Sequence, residues 1–199
     1  DVYKRQVLGF SKDNYYKVGH AAVVLINNAT GECDYFDFGR YHAPFGHGRV
    51  RDKETDHELI INTIAQISPS GEIENYENIL DELSNNPACH GTGIIHSSYC
   101  KVNFKEAFSV AKQMQEKSPW KYGPFIWDGT NCSRFVRTIV LAGSPPLTNT
   151  LRIFFPFSIS PTPTGNVKSL KNKKQYLSAN KKLTFFSSEK HQACQVIIN

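Results

Sequence analysis

Ala21 to Ile26 is the longest unbroken apolar run in the chain, and at six residues it has the length of a strand. A run of this kind, with no polar alternation, belongs to a strand buried on both faces, so a folding solution must cover it on two sides. The turn-rich stretch Asn27, Asn28, Ala29, Thr30, Gly31 follows, and then the aromatic segment Cys33 to Tyr41. Together they predict a β-hairpin whose first strand opens on His20.

The same run is far shorter than the roughly 18 to 20 apolar residues needed to cross a bilayer, so no transmembrane segment is expected and the chain reads as soluble. At 199 residues and 40% apolar, it can bury the core of one ordinary domain. Residues 165–199 hold seven lysines and one acid, Glu189, while residues 1–164 are close to neutral, so the net charge of +5 resides in the tail. The lysines are not interleaved with a stacking platform, and no groove-reading module is visible. A solvated surface is expected, and nucleic acid is not an expected partner.

Five cysteines, with no CxxC pair, argue against a disulfide framework and a Cys-rich zinc site, and mildly favour a reducing compartment. Residues 1–6 (DVYKRQ) have the look of translated adapter sequence and are set aside. The main domain is expected over 7–164, with 165–199 as a lysine-rich C-terminal extension that reads as truncated.

Further along, Leu59, Ile61, Ala65 and Ile67 alternate as in a half-buried strand, after a polar loop from His42 to Asp56. Ile73, Tyr76, Ile79, Leu80 and Leu83 recur at helical spacing until Asn86-Pro87. A short strand is expected over Gly93 to Tyr99. A helix follows over Phe104 to Lys117, with Asn103 and Glu106 as its capping box. Ser118 to Gly129 is an aromatic loop holding Trp120, Tyr122, Phe125 and Trp127, able to line a cleft. Ser144-Pro145-Pro146 stops the helix before it, and Pro156 to Gly165 has linker composition. Leu183 to Phe186 and Cys194 to Ile198 are candidate added strands.

The chemistry concentrates at NCSRFVRTIVLAG. Cys132, Phe135, Val136, Ile139 and Val140 fall on one helical face, and Arg134, Arg137 and Thr138 on the other. Thr130 or Asn131 can cap the start, which puts Cys132 in the first turn. There, free backbone N–H groups and the positive end of the helix dipole stabilise a thiolate. A small apolar residue on a buried face fits the same pattern. Of the histidines, His20 opens a buried strand, where the backbone fixes its imidazole beside an opening. His96 is the alternative in a strand, and His42, His47 and His57 lie in or beside a polar loop. His90 and His191 read as surface residues. If the hairpin turn centres on Asn28 and Ala29, Asp37 falls beside or opposite His20 and can orient its ring. A slip of one residue would turn it to the other face.

A His opening GHAAVVLIN, a polar residue on its hairpin partner and NCSRFV opening a later helix resemble the circularly permuted NlpC-type branch of the papain-like thiol enzymes, where His precedes Cys. An NCxxF-like helix start recurs there, as in lecithin:retinol acyltransferase and its relatives. The resemblance covers residues 18–143. It implies an α+β fold with a small antiparallel sheet packed on helices, Cys132 as nucleophile at a helix N-terminus, His20 as base and Asp37 as orienter. The blocks YFDFGRYHAPFGHGRVRDKETDHEL and GPFIWDGTNCSRFV are similar to those of a Bacteroidetes-type family of unassigned activity. Glu32 stands where the acyltransferases carry a second histidine, which argues against lipid acyl transfer.

The expected activity is a cysteine hydrolase or acyl-transfer enzyme acting on an amide or ester carbonyl, without cofactor or metal. Its substrate would be a peptide, a cell-wall peptide or an acyl compound. Arg40, Trp127 and Asn131 are the candidate substrate-binding residues, Arg40 as one of a cluster with Arg49 and Arg51 able to clamp an anion. The competing expectation is a non-catalytic peptide- or anion-binding module on the same scaffold.

Overall fold

The computed structural model describes residues 11–12, 15–16, 19–89, 94–155, 160–176 and 193–198. Residues 1–6, His90, His191 and the candidate strand Leu183 to Phe186 lie outside them. The strands are β1 (Ser11–Lys12), β2 (Tyr15–Tyr16), β3 (His20–Ile26), β4 (Cys33–Gly39), β5 (His47–Arg51), β6 (Ile95–Cys100), β7 (Trp120–Tyr122), β8 (Gly129–Thr130), β9 (Lys171–Tyr176) and β10 (Ala193–Ile198). The helices are α1 (Tyr76–Asn85), α2 (Phe104–Glu116), α3 (Cys132–Ala142), α4 (Leu147–Phe154) and α5 (Pro163–Ser169). The fold is therefore α+β.

Strands β1 and β2 pair with each other, and the other eight form one sheet in the order β8-β7-β5-β4-β3-β10-β6-β9. The sheet is mixed, not the small antiparallel one expected, because β10 runs parallel to both β3 and β6 and β7 runs parallel to β8. These pairings join segments distant in sequence or only two or three residues long, which leave no local pattern to read.

Each residue from Ala21 to Ile26 is at most 1% exposed, because β3 is covered on both faces. On one side Val23, Leu25, Phe36 and Phe38 pack with Ala107 and Ala111 of α2 and with Phe135, Val136 and Ile139 of α3. On the other, Ala22, Val24, Ile26 and Tyr35 meet Leu59, Ile73, Ile79, Leu80 and Leu83. This double cover is the reason the run carries no polar alternation.

The alternation over 59–67 does not build a strand. Leu59 ends a short 3-10 turn, and only Ile67 makes a bridge, to Ile73. The amides there are taken by other groups: Glu82 accepts from Asn62 and Thr63, Asn75 from Gln66, and Gly31 from Ala65. With its donors satisfied this way, the segment needs no partner strand. The polar loop, conversely, contains β5, and the aromatic loop contains β7.

Packing continues across residue 164. Thr162 caps α5 through the N–H of Gly165 at 3.1 Å, Pro163 takes its first turn, and Val167 and Leu170 are buried in the core that holds α3. Asn166 donates to the carbonyl of Ser133 at 2.9 Å. Residue 164 lies within α5, whose first helical residue is Pro163. No helix among the described residues is long and apolar enough to cross a membrane.

Candidate active site

Three strands and one helix end converge on a single acid. Ala22 is the partner of Asp37 in the β3–β4 ladder, and Arg51 is its partner in the β4–β5 ladder. Directly opposed residues share a face, and so do residues two apart on a strand, so His20, Asp37 and Arg51 lie on the same side. Asp37 is diagonal to His20 rather than opposite it, and the imidazole Nε2 meets its Oδ2 at 2.9 Å. Asp37 is fully buried, and it also accepts from the Tyr35 hydroxyl at 3.2 Å, from Arg51 Nε at 2.9 Å and from Arg51 Nη2 at 2.7 Å.

Cys132 is the first residue of α3, as its sequence position predicts. Asn131 is the cap: its side chain accepts from the N–H of Arg134 at 2.9 Å and its carbonyl from that of Phe135. The cap leaves the N–H groups of Cys132 and Ser133 outside the intrahelical ladder. Cys132 is 6% exposed, with Ser133 Oγ 3.9 Å from its sulfur, and the His20 imidazole, the Ala21 N–H and the Tyr122 hydroxyl are the neighbouring groups that act electrostatically on the thiol. With Nε2 engaged by Asp37, Nδ1 is the imidazole nitrogen left for the sulfur. The His20 side chain is 28% exposed and forms the open side of the cluster.

The electrostatics follow from this order of groups. Burial alone would lower the His20 pKa, but hydrogen bonds to Asp37 and Cys132 and their charges outweigh it and hold it well above the ordinary imidazole value. Burial would raise Cys132, yet His20, the Ala21 N–H and Ser133 pull it below the ordinary thiol. Burial would raise Asp37 as well, and His20 and Arg51 hold it down instead. The other cysteines provide the contrast, since burial pushes Cys33, Cys89 and Cys100 each up to about 12. Both shifts run toward an imidazolium–thiolate pair backed by a carboxylate, an arrangement that suits attack on an electrophilic carbon.

The arginine cluster divides instead of forming one clamp. Arg49 makes a bidentate pair with Asp56 at 2.8 and 2.7 Å, Arg51 turns inward to Asp37, and Arg40 is exposed with its guanidinium 4.5 Å over the Tyr122 ring. Among the described residues Arg40 forms no ion pair. Trp127 stands 99% exposed in the turn between β7 and β8. His96 sits on β6, with β10 between it and β3.

Tyr41 and Tyr122 contact the site although sequence reasoning does not single them out for it, and Arg51, expected in an anion clamp, instead turns onto Asp37. Tyr122 was visible only as one aromatic among several.

Residues 3–148 match the family described as Type VI secretion system effector TseH-like. No curated protein and no solved structure matches the chain. The match spans well over half of the sequence and includes His20, Asp37, Arg51 and Cys132, so the chain belongs to the type VI secretion system effector TseH-like family, a family of NlpC/P60-like cysteine peptidases.

Proposed function

We propose that the protein is an effector hydrolase of the permuted NlpC-type papain-like class, cleaving an amide, as in a cell-wall peptide, through Cys132 and His20. One observation carries the reading. Of the four buried free cysteines among the described residues, Cys132 alone is lowered below the ordinary thiol, and it lies beside an imidazole whose Nε2 is held by a buried carboxylate.

In this reading the Cys132 thiolate attacks the carbonyl carbon, and the His20 imidazolium gives its proton to the departing amine, leaving a thioester. His20, now neutral, takes a proton from water as that water attacks the thioester, and the Cys132 thiolate is expelled from the acid product, which restores the imidazolium–thiolate pair. Asp37 holds the imidazole ring through both steps. The Cys132 N–H and the Tyr122 hydroxyl are the donors suited to the developing oxyanion, a contribution of about 3 kcal/mol per donor. Arg40, which forms no ion pair among the described residues and lies on Tyr122, is the proposed contact for an anionic group of the substrate. Trp127 and the side-chain amide of Asn131 are the proposed rim.

The test is alkylation by iodoacetamide at graded pH, read by mass spectrometry at each cysteine, with Cys132→Ala as control. Cys132 should react with a midpoint well below the free-thiol value of about 8.5 while the other described cysteines stay protected. An inert Cys132, or one titrating at the free value or above, overturns the reading. Cleavage of peptide substrates by the wild type and not by the folded Cys132→Ala protein separates an enzyme from a binding module.

A further inference from the structure

We propose that Arg51, held beneath Tyr41, is a positioning residue that keeps Asp37 ionised and aimed at His20; the proposal rests on the catalytic reading above. Arg51 is only 4% exposed, and its guanidinium is fixed from three directions. Its Nε and Nη2 form a fork on the two oxygens of Asp37, Nη2 also donates to the Ala88 carbonyl at 3.1 Å, and the Tyr41 ring lies over it at 3.5 Å. The same Tyr41 ring meets His20 edge-on, with centroids 6.3 Å apart. Gly39 makes room for that ring, because a Cβ there would stand 2.2 Å from Tyr41 Cε2.

The division of the carboxylate explains what the fork does. Oδ1 is held by Arg51, whereas Oδ2 serves His20, Tyr35 and Arg51 together. Two parallel N–H bonds fix the plane of a carboxylate, which a single bond from an imidazole cannot do. The charges also alternate along the row: Arg51 positive, Asp37 negative, His20 positive, Cys132 negative. Tyr41 also adjoins the row, and Tyr35 on β4, Cys89 after α1 and Tyr122 on β7, each raised by burial, are neutral at pH 7.

Without Arg51 the buried row carries an uncompensated negative charge, and Asp37, at 0% exposure, is the carboxylate that would take up a proton. A neutral Asp37 no longer favours the imidazolium, and the thiolate loses its partner. Lysine in place of Arg51 would keep a positive charge but not the planar fork.

The experiment compares wild type, Arg51→Met, Arg51→Lys, Tyr41→Leu and Asp37→Asn in the full chain. It reads the pH midpoint of Cys132 alkylation, with circular dichroism and continued protection of Cys33, Cys89 and Cys100 as the measure of folding. Arg51→Met should raise the midpoint by about one pH unit or more, which is about tenfold slower alkylation at pH values below both midpoints. Arg51→Lys and Tyr41→Leu should fall between it and wild type. Adding Asp37→Asn to Arg51→Met should move the midpoint no further than Asp37→Asn alone.

A folded Arg51→Met protein with an unchanged or lowered midpoint overturns the proposal and leaves Arg51 a structural residue. If Arg51→Met does not fold, Arg51→Lys and Tyr41→Leu decide, and wild-type midpoints in both overturn it. Failure of the catalytic reading itself looks different, since wild-type Cys132 would then titrate as an ordinary thiol.

Discussion

Asp37→Asn tests the buried charge row at its centre. Asparagine preserves the shape of the side chain but removes the charge, and its amide N–H would have to replace an acceptor now shared by donors from His20, Tyr35 and Arg51. Arg51 is left at 4% exposure as a buried cation without its carboxylate. Removing one partner of a buried pair costs about 3–5 kcal/mol, because the remaining charge cannot recover its hydration. For a chain of this size that corresponds to a fall of roughly 6 to 20 °C in Tm.

The pH dependence fixes the mechanism. The folded pKa of Asp37 lies below its unfolded value, so its contribution is complete above an ordinary carboxylate pKa of about 3.9 and fades as pH falls through the lowered folded value. His20 has the opposite sign: the contribution of its raised folded pKa is complete below about pH 6.5 and is lost as pH rises through the raised folded value. Urea unfolding of both proteins from pH 7 into acid should therefore show a large gap at neutral pH that narrows once Asp37 in the wild type is protonated. A gap under about 1 kcal/mol at pH 7, or one that stays constant into acid, would refute the assignment of Asp37 as a buried anion paired with Arg51.

Asn131→Ala removes the side chain that receives the Arg134 N–H at 2.9 Å, and it should cost about 1 kcal/mol, or a fall of about 2–4 °C in thermal unfolding. An unchanged Tm would show the cap to be dispensable. Ending the chain at residue 192 deletes β10, which is paired along its length with both β3 and β6. On the order of ten ladder hydrogen bonds at about 0.5–1.5 kcal/mol each match the whole stability of a domain, so this truncation should abolish cooperative urea unfolding. A transition as sharp as that of the full chain would show β10 to be peripheral.

Much of the site is local, and local features are legible in a sequence. The apolar run after His20 announces a doubly covered strand, the Asn27 to Gly31 turn sets the hairpin, and the spacing of Cys132, Phe135, Val136 and Ile139 places the thiol on the inner face of a capped helix. Asp37 follows from the hairpin count alone, to within one diagonal step. The helix over Phe104–Glu116 with its Asn103 cap was equally plain. Periodicity misled at residues 59–67, where alternation marks a segment whose amides are satisfied by Glu82, Asn75 and Gly31.

Other features exist only in three dimensions. Arg51 reads as one charge in a polar loop until the β4–β5 register sets it opposite Asp37, and Asn166 reads as tail until α5 brings it to the carbonyl beside Cys132. The strand at Ala193–Ile198 has a recognisable pattern but no readable partner. By itself the sequence singled out a thiol, an imidazole and a carboxyl as candidates for one site, because side-chain chemistry and one turn of backbone suffice for that. The tertiary structure decided the direction in which the titration of each one is moved, because a pKa depends on the neighbours and the solvent that remote chain segments bring or exclude.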